Sequence, residues 1–139
     1  MIRPLAMALA ALPAAACAPA GPLTAAMPAP GLAGEWRVIA VNGRPVSGSA
    51  KIQPPIFAID FGCNKGRSGF RIEGSVLVPV GPMGTTERGC VNADDSPSTA
   101  MRREDEGFRI AHRPMQVTFY GPARARLSNE AGTIDLSRH

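Results

Sequence analysis

The chain is short of the residues that usually mark a chemistry. Its 139 residues include one tryptophan, one tyrosine and two histidines, His112 and His139. No run reaches the roughly 20 apolar residues of a spanning helix, which excludes a polytopic membrane protein. The three cysteines, Cys17, Cys63 and Cys90, form no Cys-x-x-Cys pair, and no Cys/His spacing suits zinc. No hydroxyl has a matched base, so a catalytic triad is not expected, nor any catalytic residue, metal or cofactor. Asp94-Asp95 lacks EF-hand spacing and reads as polar loop. The glycine-rich stretch 62–69 (GCNKGRSG) fails the phosphate-loop pattern.

Charge is scarce in one place only. Residues 1–33 hold 13 of the 22 alanines, 6 of the 14 prolines and a single charge, Arg3. The other 25 charges lie beyond residue 33, where about 105 residues remain for one modest core. The net charge is +4, and 13 of the 15 basic residues are scattered arginines. This is no nucleic-acid footprint.

Arg3, the apolar stretch Leu5–Leu12 and the small residues Pro13–Ala16 make a three-part export signal over 1–16. The ending before Cys17 resembles a bacterial lipoprotein signal, although Ala14 stands where such signals prefer Leu. The resemblance implies cleavage before Cys17, lipid on its thiol and an acyl chain on its amine. A soluble exported form, cut after Ala16 or Ala20, is the alternative. Residues 17–31 follow as an uncharged segment rich in proline and alanine, a tether that cannot fold alone.

From residue 32 to 139 the pattern is mainly β. Strands are expected at 35–41, 56–61, 70–72, 76–80, 115–120, 124–128 and 133–136, with Trp36, Val38 and Ala40 on one side of the first. Asn42-Gly43 is a hairpin signal, and Pro79 marks a strand edge or end. Residues 62–69 read as a turning loop and 81–95 as irregular. Ser96-Pro97 reads as the start of a helix running to about Ala111, with residues 102–106 solvated and Gly107 weakening it. Arg71, Arg124 and Arg126 should face solvent. The expected fold is a small antiparallel barrel of about seven strands with one helix packed on it. Closing the sheet would remove its edges.

These residues resemble the META domain, also called the HslJ-like domain, of bacterial envelope proteins. The carriers are Leu32-x-Gly34-x-Trp36, Asn42-Gly43-x-Pro45-Val46, Gly62-Cys63-Asn64, Gly69-Phe70 and Thr86-x-x-x-Cys90. Glu104 and Phe108 on the helix, then Tyr120, Leu127 and Gly132, extend the match to about residue 136. The resemblance implies a compact barrel-like domain, an envelope location and a link to stress tolerance, without an established catalytic mechanism.

Export places Cys63 and Cys90 in an oxidising compartment, where a disulfide between them is expected. Trp36 is expected as a core anchor and Asn64 as a partner of the local backbone. The expected function is therefore non-enzymatic, by binding or stabilising contacts of a monomer held to a membrane through Cys17. The alternatives are a small-ligand barrel and a hydrolase inhibitor presenting a loop such as 81–95 beside the disulfide.

Overall fold

The computed structural model describes residues 29–138. The export signal, Cys17, most of the tether and His139 lie outside the described residues. A 3-10 turn, Ala29–Leu32, leads into eight strands and one helix. The strands are β1 (Gly34–Val41), β2 (Arg44–Gln53), β3 (Ile56–Asp60), β4 (Lys65–Glu73) and β5 (Val76–Thr85), then β6 (Met115–Phe119), β7 (Arg124–Asn129) and β8 (Gly132–Ser137). Helix α1 (Thr99–Ala111) lies between β5 and β6. Every strand pairs antiparallel with its sequence neighbour, and β8 returns to β1, so the sheet closes into a barrel. Closure leaves few free edges, which suits a chain with so small a core.

Alternation along the strands sends Val38, Ile52, Phe57, Ile59, Leu77, Val117, Leu127 and Leu136 inward, each at most 3% exposed. The sidedness of β1 differs from the expected one. A bulge between Val38 and Ala40 shifts the register, so Val41 rather than Ala40 is buried beyond it. Trp36 is a core anchor as expected. It is 3% exposed, its indole N–H donates to the Leu32 carbonyl at 2.8 Å, and the Arg138 guanidinium lies 4.2 Å from its ring centre.

Three further departures have local causes. β2 is absent from the sequence reading because RPVSGSAKIQ holds a proline, a glycine and two serines, and only Ala50 and Ile52 of it are fully buried. Residues 65–69 belong to β4 rather than to a loop. There Gly66 faces inward, and a side chain on it would run into Phe108 and Met83, so this glycine provides room rather than a turn. β5 continues through Thr85, so the irregular stretch shrinks to 86–98. Pro79 sits at an edge as expected, because β6 pairs with β5 only at Val76 and Leu77.

The helix also starts later than the Ser96-Pro97 signal. Ser98 is the N-cap, with its hydroxyl accepting from the Met101 N–H at 3.2 Å. The helix ends at Ala111 as expected. It covers one end of the barrel, where Phe108 meets Phe61 edge-on with ring centres 5.1 Å apart. Gly107 lies directly against the Phe61 ring, and a Cβ there would overlap it. Replacing Gly107 by Ala should therefore destabilise the domain by about 1–3 kcal/mol through overpacking, although alanine is the better helix former by about 1 kcal/mol. Urea or thermal unfolding of Gly107→Ala checks this, and a higher midpoint than the parent would contradict it.

Candidate functional site

The sequence motifs converge at the helix-capped end. The Asn42-Gly43 turn joins β1 to β2 with φ of 50° and 72°, the doubly positive pair of a tight hairpin turn. The Asn42 carboxamide oxygen accepts from the Thr133 N–H at 2.9 Å, and its nitrogen donates to Glu106 at 3.2 Å. One turn thus joins the β7–β8 turn to the helix.

The turn between β3 and β4 does more. Asn64 is 4% exposed and Glu104, on α1, is also 4% exposed. The Asn64 backbone N–H donates to Glu104 Oε2 at 2.5 Å, and its side-chain nitrogen donates to Oε1 at 2.7 Å. That nitrogen also donates to the Arg88 carbonyl at 3.0 Å. Asn64 Oδ1 accepts from the Arg88 N–H at 2.6 Å and from the Thr86 hydroxyl at 3.1 Å. Thr86 closes the set, because its hydroxyl accepts from the Lys65 N–H at 3.0 Å. Asn64 therefore holds partners 22 to 40 residues away, beyond the local role expected for it. Glu104 is buried, whereas the sequence reading left it solvated with its neighbours. No basic side chain among the described residues lies within ion-pair distance of it.

Cys63 and Cys90, 27 positions apart in sequence, are joined by a disulfide beside this knot, with Cα atoms 6.1 Å apart. Beyond Cys90 the loop folds back on itself. Val91 bridges Pro97, the Ser98 N–H donates to the Cys90 carbonyl at 2.9 Å, and the Asn92 N–H donates to the Ser96 carbonyl at 2.8 Å. Asp94 accepts from the Ser96 N–H and hydroxyl, and these bonds hold its carboxyl below the ordinary value. That support for the loop is present above the ordinary aspartate range and fades as pH falls through the lowered value.

The other motif residues have plainer places. Gly62 has φ of 107° at the β3–β4 turn, and Gly34 has φ of 126° at the start of β1. Gly69 pairs with Val80 inside the β4–β5 ladder. Arg71 and Arg124 are exposed as expected, and Arg126 pairs with Asp135 at 2.6 Å. His112 is the exposed C-cap of the helix.

Chemically this end is a brace. A cleft of about 350 Å³ beside it, lined by Val46, Ser47, Phe61, Gly62, Ala100 and Arg103, opens broadly to solvent. The barrel interior is filled by the inward side chains. Among the described residues no group of three or more His, Cys, Asp or Glu is placed to hold a metal, and no helix is long and apolar enough to cross a membrane.

No family model and no curated protein matches the chain. Solved structures do match. One, an NMR structure of a protein from Burkholderia xenovorans, has a TM-score of 0.59 and 15% identity, covering 88% of this chain and 97% of that one. Another NMR structure has the same TM-score and identity, covering 75% of this chain and 87% of the other. At that identity the likeness shows a shared fold.

Two outcomes test the brace. Glu104→Ala or Asn64→Ala should each cost about 3 kcal/mol by stranding buried polar atoms, and the double variant should cost clearly less than the sum. Reducing the disulfide should cost roughly 3–4 kcal/mol, as chain-entropy reasoning gives for a loop of about 28 residues. Chemical denaturation with and without dithiothreitol measures both.

Proposed function

We propose that this chain is a non-enzymatic envelope domain of the META type, held to a membrane through lipid on Cys17, that acts by binding a partner in the periplasm. The observation carrying the binding reading is the loop 86–98. It is tied by the disulfide, by Asn64 at Arg88 and by its own bridge, yet most of it is exposed, with Val91 at 52%. A loop held in one shape loses little entropy on contact, which favours affinity. The filled barrel directs attention to the outer surface rather than to an internal ligand. The same loop supports a second reading, an inhibitor that presents it to a hydrolase. The link to stress tolerance comes from the family resemblance.

Crosslinking and co-purification from the native envelope tests the binding reading. The expected result is a partner captured by the parent chain and lost in Val91→Asp, whose unfolding midpoint should stay within about 0.5 kcal/mol of the parent, as for a surface change. Equal capture by both, or none by either, would overturn it. Mass spectrometry of the mature chain tests the anchor, and an unmodified N-terminus at Cys17 or Gly21 would refute it.

A further inference from the structure

The two ends of the barrel differ in charge. The helix, the Asn42-Gly43 turn and the β3–β4 and β7–β8 turns crowd one end. The other end carries the β2–β3, β4–β5 and β6–β7 turns, the close of β8 and the 3-10 turn through which the chain arrives from its N-terminal segment. Arg138 fixes that arrival point by donating to the carbonyls of Gly31 at 2.6 Å and Ala33 at 2.7 Å.

The half of the barrel nearest this arrival end holds Arg37, Lys51, Arg71, Arg124, Arg126 and Arg138, against Glu35, Glu73 and Asp135. The basic and acidic residues of the rest of the described chain balance in number, so the domain's whole excess of positive charge sits here. Arg37 and Arg124 are exposed. Tyr120, on the β6–β7 turn, is the most exposed large hydrophobic side chain among the described residues at 58%, with the Arg126 guanidinium 5.7 Å from its ring centre. An amphipathic ring beside arginines suits the headgroup level of a bilayer.

From this placement we infer that the arrival end of the barrel is a docking face for an anionic lipid surface. The occupant follows from the chain outside the structure and from the charge. The inference takes its setting from the reading of Cys17 as the anchor. The twelve residues 17–28 span at most about 40 Å when extended, so an anchor at Cys17 tethers the domain close to the bilayer by this end, and the charge of this end favours turning it, rather than the helix end, to the surface. Its excess charge then meets phospholipid phosphates, and the helix end with its stapled loop faces away from the membrane.

The test uses the mature chain 17–139 carrying Cys17→Ser, so that the lipid contributes nothing. It is sedimented with vesicles of phosphatidylcholine alone or with 30% phosphatidylglycerol. Binding is expected only to the anionic vesicles and should vanish in 0.5 M salt. The double variant Arg37→Ala/Arg124→Ala should bind roughly 20-fold more weakly, about fivefold per arginine. Arg102→Ala/Arg109→Ala, at the helix end, should bind as the parent does. No binding to anionic vesicles, or equal losses in the two double variants, would overturn the inference. Concentration-dependent dimers lost in Arg37→Ala/Arg124→Ala, without vesicle binding, would assign the face to a second copy and overturn it too. Mass spectrometry of the native N-terminus bears on the anchor alone, so the two readings fail separately.

Discussion

The paired hydrogen bonds between Asn64 and Glu104 organise one whole end of this protein. A buried carboxylate without a cation is costly, and here its two oxygens are met by the backbone and side-chain N–H groups of one asparagine. That asparagine is fixed in turn by Thr86 and Arg88. The helix can cover the barrel in only one register if both ends of this chain of bonds are to be satisfied. Gly107 and Phe61 impose the same register through packing, since Gly107 alone lets the helix approach the ring. Polar and apolar constraints thus agree, which is what gives a small domain a single structure.

The disulfide reads differently beside that knot. The barrel is closed by hydrogen bonds from β1 to β8 without it. Cys63 and Cys90 secure the one long irregular segment among the described residues, the passage from β5 to the helix. β6 pairs with only two residues of β5, so the remaining length of β5 is paired on one side only, to β4. Pro79 and Pro82 lie on that open length, where a missing N–H does least harm to the ladder and discourages pairing with another chain.

The barrel was legible because seven of its eight strands leave an apolar or alternating signal in the sequence and the turn at Asn42-Gly43 has one good conformation. What escaped was written in residues whose role depends on partners far along the chain. Gly66 looks like a turn residue in the string GCNKGRSG, and only Phe108 and Met83 lying over it reveal a strand. Glu104 looks solvated in the run RREDE, and only Asn64, 40 residues earlier, reveals why it is buried. The family resemblance had singled out Glu104, Asn64 and Thr86 without their geometry. Their meeting at one point gives a structural reason for that spacing. β2 was hidden for the opposite reason, since a strand paired on both sides can be built from poor strand formers.

The inward side chains form one core, and the outside of the barrel is divided. One end carries the excess charge, an exposed tyrosine and the incoming chain. The other carries balanced charge, a helix and a loop held in shape by covalent and polar ties. A stapled loop beside a bilayer would be sterically hidden from a large partner. Placed at the opposite end it is presented outward. The covering helix therefore has two effects that follow from one position. It closes the core against water, and it draws the cross-linked loop away from the end where the chain enters.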